Sequence, residues 1–347
     1  MTVKIALWGV GAMALRMADM LLDRSGVAIV GAIDRHPDKV GRDVAELAGR
    51  AEPSGAVVSE DADAVLARQP DIVLHATDSF LAAVAPDLRR AVEAGADVIT
   101  IAEEMAFPWA ADPVVAQGLD AAARASGVSV LGTGVNPGFV MDSLVLALTG
   151  ACASVKSLHV SRVNDLSQFG PTVMRTQGVG LSPEAFAAGV ADGSVVGHVG
   201  FPQSVGMIAT ALGWSIDRVE ETRAPIISDV RRETPHVTVE PGMVAGCRHV
   251  ATGYSGDRAV IVLEHPQQVR PEAAGVETGD TIRIDGAPPI HMASAPEIPG
   301  GAATAALAVN MIPRVLAAAP GVTTMADLPI PTAWTALDPQ SAARRNA

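Results

Sequence analysis

The apolar positions of this chain fall into two regimes. From residue 3 to about residue 150, short apolar runs alternate with stretches of helical period. The runs are VKIALW (3–8), VAIVGAID (27–34), DIVLHATDS (71–79), DVITIAEE (97–104) and VSVLGTGVNPG (128–138). Near-continuous apolarity over such short lengths marks strands covered on both faces. Between them, LRMADMLLDRSG, LAAVAPDLRRAVEAGA and PVVAQGLDAAARASG carry the period of amphipathic helices and close on glycine. Regular alternation of this kind predicts a doubly wound parallel sheet.

From about residue 152 the pattern changes. SVKSLHVSRVND (154–165) alternates apolar and polar positions, as in a half-exposed strand. LSPEAFAAGVADG predicts a helix capped by Ser182, with Pro183 at its first position and Glu184 close behind. FPQSVGMIATALG predicts a second helix. Residues 236–269 predict three β segments with turns at Pro241-Gly242 and Ser255-Gly256-Asp257, and DTIRIDGAPPIHMA adds more sheet around Asp285-Gly286. GGAATAALAVNMIPRVLAAAPG (300–321) returns to a long Ala-rich helix. The expected fold class is therefore α/β: a Rossmann-type doubly wound parallel sheet, with a second α+β domain containing an open mixed or antiparallel sheet. The expected domains are a dinucleotide-binding domain over 1–150, completed by the C-terminal helix at about 300–330, and an α+β substrate and dimerisation domain over 151–299.

Composition narrows the partners. The 347 residues are 49% hydrophobic but only 3% aromatic, so Ala, Val, Leu, Ile and Met must build the core. A formal charge of −13 disfavours nucleic acid or an anionic membrane as the main partner. Two cysteines, Cys152 and Cys247, cannot supply a disulfide framework or a thiolate-rich metal site. No cluster of His, Cys and Asp has metal-ligand spacing, and no metal is expected. The opening MTVKIALWGV runs straight into a strand without a signal-peptide pattern, so a cytoplasmic protein is expected. The open sheet of the second half suggests a homodimer.

The candidate chemistry starts at GVGAMA, Gly9 to Ala14. In a strand–turn–helix setting Gly9 allows the tight turn and Gly11 lets the backbone approach a pyrophosphate. Ala12 and Met13 open the helix whose N-terminus faces the phosphates, and Ala14 keeps that helix close to the sheet. Asp34 lies 25 positions beyond Gly9, near the spacing of about 20 for an acid on the ribose hydroxyls. Arg35 and His36 follow it, with Lys39 nearby, a set that also suits a 2′-phosphate. Both NAD and NADP are therefore expected to bind. Thr77 and Asp78 end the third strand and should lie near the nicotinamide ribose or the pyrophosphate.

Ligands of such sheets sit outside the carboxyl ends of the strands. That rule directs attention to Glu103 and Glu104, and to GTGVNPGF at 132–139. Phe107, Trp109 and Phe139 are candidate apolar walls. A desolvated carboxylate there gains proton affinity, and two neighbours repel, which suits proton transfer with an amine substrate. Asn136 is a candidate donor to the substrate or to the nicotinamide amide. Arg162, Met174 and His198 are candidate substrate-pocket residues, with Arg175 and His159 as weaker additions. Asp142 is expected to cap a helix.

Taken together, LWGVGAMA, GAIDRHPDKVGRDVAEL, ITIAEEMAFPW, GTGVNPGFVMDSL, HVGFPQSVGMIATALGW and GGAATAALAVNMIPRVL resemble the dihydrodipicolinate reductase-like family that includes 2,4-diaminopentanoate dehydrogenase and the native amine dehydrogenases. The resemblance spans residues 3 to 330. It implies a dimeric NAD(P)-dependent enzyme that aminates ketones or aldehydes reductively with ammonia and deaminates amines oxidatively. It also implies a catalytic glutamate after the fourth long strand, taken as Glu104 with Glu103 as the alternative. The His-His-x-x-Lys segment and Ser-Gly-Thr anion loop of true dihydrodipicolinate reductases are missing, which disfavours that reaction. Because MAFPW and NPGFVM read as apolar, simple ketones, aldehydes and their amines are the expected substrates. The alternatives are 2,4-diaminopentanoate or another amino acid, an alcohol such as homoserine, or a non-catalytic dinucleotide sensor.

Overall fold

The computed structural model describes residues 2–334. The chain divides into two compact units. The first comprises the residues up to Met105, Val114–Gly134 and the chain from Gly301 onward. The second comprises Ala106–Pro113 and Val135–Gly300. The division thus falls at 134/135 rather than near 150, and a short excursion after the glutamates belongs with the second unit.

In the first unit, strands β1 (Val3–Trp8), β2 (Val27–Ile33), β3 (Val58–Ser59), β4 (Ile72–His75), β5 (Asp97–Thr100), β6 (Ser129–Gly132) and β15 (Gly321–Thr323) form one sheet in the order β15-β6-β5-β4-β1-β2-β3. Every pairing is parallel. This is the doubly wound topology expected, with its switch point between β1 and β4. Helices α1 (Ala12–Leu22), α2 (Val44–Leu47), α3 (Ala62–Leu66), α4 (Leu81–Glu93), α5 (Pro113–Ser126) and α10 (Gly300–Val315) complete the set. α1 buries Ala14, Met17, Ala18 and Leu21, spaced by three and four as one apolar stripe requires. β4 is buried throughout and stops at His75, shorter than the apolar run implied, because the chain turns at Ala76.

The second unit contains α6 (Ser143–Thr149), β7 (Ser154–Asp165), α7 (Pro171–Thr176), α8 (Pro183–Asp192), α9 (Phe201–Leu212), β8 (Arg218–Ile227), β9 (Arg232–Glu233), β10 (Thr238–Val239), β11 (Val244–Ser255), β12 (Arg258–Gln268), β13 (Gly279–Ala287) and β14 (Ile290–Ser294). Six of its strands form a mixed sheet ordered β14-β13-β7-β12-β11-β8. Only β7 and β12 run parallel within it. The Ser182 hydroxyl accepts the Ala185 amide and starts α8 as its sequence implies. Asp142 caps α6 through Ser143, and its other oxygen takes the Gly138 amide and the Ser204 hydroxyl. The sheet expected around Asp285-Gly286 is β13, with a bulge at that pair where the register against β7 shifts. A side chain at Gly286 would meet the Ser154 carbonyl at 2.5 Å, so the glycine serves close strand approach rather than reversal.

A buried ion pair links β7 and β13. Arg162 Nη1 lies 2.5 Å from Asp280 Oδ1, with both side chains at most 3% exposed. Asp280 also takes the Ile298 amide, and Arg162 donates to the Ile298 carbonyl. Removing one member strands the other charge away from water. Asp280→Ala should therefore cost about 3–5 kcal/mol in urea denaturation. A loss under about 1 kcal/mol, the scale of an exposed pair, would show that the pair does not hold the sheet.

Candidate active site

The first part of the site is built at the switch point. Gly9 has φ +85°, and a Cβ there would stand 2.5 Å from the Ala76 carbonyl oxygen and 2.8 Å from Thr77 Cγ2. Only glycine fits both conditions. At Gly11 a Cβ would meet nothing within 4 Å, so the backbone stands open to a ligand. Gly11 is also the N-cap of α1 and supplies no side-chain cap, leaving amides at the helix start for phosphate oxygens. Beside the turn lies a cleft of about 380 Å³ lined by Trp8, Gly9, Gly11, Asp34, Arg35, Lys39, Thr77, Asp87 and Arg90, among others. The size is that of a small-ligand pocket. These features fit the dinucleotide.

Asp34 ends β2 and accepts the amides of Val10 at 2.7 Å and His36 at 2.8 Å, with Lys39 Nζ at 3.0 Å. Burial pushes its proton affinity up, but the His36 amide, Lys39 and the Val10 amide outweigh it and hold the carboxyl below its usual range. Asp34, Arg35 and Thr77 line the cleft as a nucleotide site requires. His36 takes part through its backbone, its ring lying exposed beside Asp38. Ala12 and Met13 open α1 but do not line the cleft. Asp78 does not line it either: its side chain caps the Ser79 and Phe80 amides.

The glutamates sit on a 3₁₀ turn, Glu103–Ala106, just past β5. Glu104 accepts the Leu81 amide at 2.7 Å, closing the start of α4, which has no cap of its own. Its backbone amide donates to the Ser79 carbonyl at 3.1 Å. Glu103 is withdrawn from water. Desolvation raises its pKa, a hydrogen bond with the Ser79 side chain opposes the rise, and the charges of Asp78 and Glu104 add to it. One loop, Thr77 to Leu81, therefore grips both acids. At the end of β6 the buried Thr133 Oγ1 has no protein partner.

The second unit carries a separate polar cluster. His198 and His265 pack edge to face at 4.9 Å, and His198 meets Phe201 at the same distance. Asn136 Nδ2 approaches His265 Nδ1 at 3.4 Å. The buried atoms Asn136 Oδ1, Asn164 Oδ1, His198 Nε2 and His265 Nε2 have no protein partner. Burial, His249 and Arg162 lower His198 to about 3. Burial and the same kind of cationic neighbours lower His265 well below the ordinary value. Both rings are neutral at physiological pH. His249 accepts the His198 amide through Nδ1 and pairs with Glu221 through Nε2 at 2.8 Å.

Several expected pocket residues change role. Met174 is 3% exposed inside an apolar cluster with Leu166, Val179, Val239 and Val269, so it is core rather than pocket. Arg162 belongs to the histidine cluster electrostatically, but its guanidinium is committed to Asp280 and is not free for a substrate carboxylate. His159 pairs with Glu264 on a partly exposed face, and Arg175 contacts only Thr172. Phe107 and Trp109 stack at 5.3 Å, with Phe107 seated where a side chain at Gly206 would collide. Asn136 joins the histidines rather than the nucleotide cleft. Sequence reading missed Asn164, His265, Trp8 and Arg90. Trp8 reads as one more apolar strand residue. The other three carry no local motif.

Residues 3–100 match the dihydrodipicolinate reductase N-terminus, and residues 139–344 match the 2,4-diaminopentanoate dehydrogenase C-terminal domain. The chain is 44% identical over 334 residues to a 2,4-diaminopentanoate dehydrogenase of Acetoanaerobium sticklandii, spanning 95% of this chain and 94% of that protein. An amine dehydrogenase of Streptomyces virginiae is 27% identical over 94% of this chain and 96% of its own length. The solved amine dehydrogenase of Mycobacterium smegmatis is 29% identical with a TM-score of 0.84, covering 95% of this chain and 97% of that one.

Two outcomes test the assignments in the first unit. Asp34→Ser should weaken NAD more than NADP in fluorescence titrations, and equal weakening would remove Asp34 from the ribose. Glu103 has a raised pKa in the fold, so ionising it costs stability. The cost is absent below the unfolded pKa, grows as pH rises from there to the raised folded value, and is constant above it. Glu103→Gln should therefore raise the Tm at pH 8 and leave it nearly unchanged at pH 4. The reverse pattern would contradict the desolvated site.

Proposed function

From the premise that the chain belongs to the dihydrodipicolinate reductase-like amine dehydrogenase group, we propose that it oxidatively deaminates a small amine carrying further polar groups, a diamino acid of the 2,4-diaminopentanoate kind, and runs the reverse reductive amination. The protein is an NAD(P)-dependent dehydrogenase acting on CH–NH2 groups. The carboxylate pair carries the finer reading, because it lies past β5, held by the loop after β4 that also meets the glycine turn. The unpartnered buried atoms of Asn136, His198 and His265 in the second unit support a substrate with more than one polar group. They also move the reading away from unadorned ketones.

Glu104, oriented by the Leu81 amide, offers its carboxylate to the substrate nitrogen. Glu103 holds and returns the proton. A bound dinucleotide supplies the hydride acceptor. As the amine carbon gives up hydride, the nitrogen becomes an iminium ion, which a carboxylate stabilises. Water adds to the iminium carbon, and its proton passes to a glutamate. The carbinolamine then collapses to ketone and ammonia, the pair returning a proton to the leaving nitrogen and a carboxylate taking up the hydroxyl proton. Two carboxylates in unlike surroundings suit this traffic, one fixed by an amide and one desolvated. A homodimer built on the open six-stranded sheet and a cytoplasmic setting complete the proposal. Two unpaired cysteines agree with the latter.

A second reading, simple aliphatic ketones and amines, is favoured by the Phe107–Trp109 pair. Absorbance of the reduced nicotinamide decides between them. With 2,4-diaminopentanoate, NAD(P)+ should be reduced. With small ketones, NAD(P)H should be oxidised at least tenfold less efficiently, and only with ammonium. Faster ammonium-dependent oxidation with plain ketones would install the second reading, and oxidation without ammonium would sink both. Glu103→Gln and Glu104→Gln should each lower kcat about 100-fold or more. A variant that turns over normally removes that residue from the mechanism.

In the deamination direction a glutamate must be ionised to accept the proton. kcat/KM should fall as pH falls through the raised pKa of Glu103, above the ordinary carboxylate range. Glu103→Gln should abolish that limb, and an unchanged limb would assign it elsewhere.

A further inference from the structure

We propose that His75 is a positioning residue, tying the dinucleotide-facing loop to the glutamate turn through a hydroxyl–imidazole–hydroxyl relay. What the glutamates do rests on the function proposed above; the relay itself is a matter of geometry. His75 is the last residue of β4 and is 1% exposed. Its Nε2 lies 3.0 Å from Thr77 Oγ1 and its Nδ1 lies 3.1 Å from Thr100 Oγ1. Thr100 Oγ1 also accepts the Ala102 amide at 3.2 Å, one residue before Glu103. The His75 carbonyl takes the Ile101 amide at 3.2 Å. Asp87 Oδ2, on α4, is 3.8 Å from Nε2 and lines the nucleotide cleft.

The two ends of this relay have different tasks. Thr77 lines the cleft and its methyl group abuts Gly9, so a bound dinucleotide fixes its hydroxyl. Thr100 lies outside the cleft lining, under the glutamate turn. A neutral imidazole has one donor and one acceptor, so the direction of the bond at Thr77 sets the direction at Thr100. Fixing the first hydroxyl therefore orders the second, and with it the amide that leads into the glutamates. A leucine in this position would fill the same space against Trp8 without carrying that information. A histidine retained only for packing predicts that the Thr100 hydroxyl matters to stability and not to dinucleotide binding.

Dissociation constants for NADH and NADPH, read by fluorescence on the purified full chain, separate the two cases. Thr100→Val removes one hydroxyl outside the cleft and should weaken the better cofactor about three- to tenfold. Thr100→Ser, which keeps the oxygen, should restore binding to within twofold. Thr77→Val should also weaken binding, and Thr77→Val/Thr100→Val should be no weaker than Thr77→Val alone, because both hydroxyls act through His75. Wild-type affinity in T100V, failure of T100S to rescue, or strictly additive losses would overturn the relay. Turnover of an amine or ketone is scored separately. A coupled pair of hydroxyls in a protein without turnover would leave His75 standing and defeat the proposed reaction. Normal turnover with uncoupled hydroxyls would do the opposite.

Discussion

The first unit depends on one close approach, that of Gly9 to the carbonyl of Ala76. A chain with a Cβ at residue 9 could not bring β1 and the end of β4 together in this way. Because it does, the loop after β4 lies directly beside the glycine turn. The same loop reaches the glutamates, with Ser79 holding the Glu104 amide and Leu81 the Glu104 carboxylate. The nucleotide cleft and the acids are thus two sides of one short segment. Geometry at one side has no slack to ignore the other.

The same burial produces opposite results at the unit's two kinds of acid. Asp34 loses water but gains two backbone amides and an ammonium, and its carboxyl falls below the usual range. Glu103 loses water, gains one hydroxyl, and faces two further negative charges, so its pKa rises. The difference lies in the donors provided, not in the depth. The acid surrounded by donors keeps its charge, and the acid left short of them gains proton affinity.

What could be read from the chain followed the range of the interactions. The glycine turn, Asp34 and the alternation of strands and helices are local patterns, and each appears where the apolar runs put it. Ser182 and Asp142 cap their helices for the same reason. The glutamate turn was legible as a place but not as an arrangement, since the Leu81 amide lies 23 residues away in the chain. Asn164 and His265 had no local signal at all. Asn164 lies on β7 and His265 on β12, strands paired about 100 residues apart in the chain, and His265 meets Asn136 and His198 there. Arg162 shows the converse. Its sequence context suggested a free cation, whereas Asp280, 118 residues on, consumes it.

That consumption shapes the electrostatics of the second unit. With Arg162 tied to Asp280, and His198 and His265 kept neutral by burial and by cationic neighbours, the cluster offers hydrogen bonds without a free positive charge. Neutral rings and side-chain amides orient polar substituents; they do not capture a carboxylate by charge alone. A substrate nitrogen suits such a surface better, because two of the unpartnered atoms are amide oxygens. The buried cation contributes by suppressing ring protonation, which keeps both imidazoles available as neutral partners. A ligand with polar substituents would pair the buried polar atoms of this cluster, whereas a wholly apolar one would leave them as unpaired as they are in the protein alone.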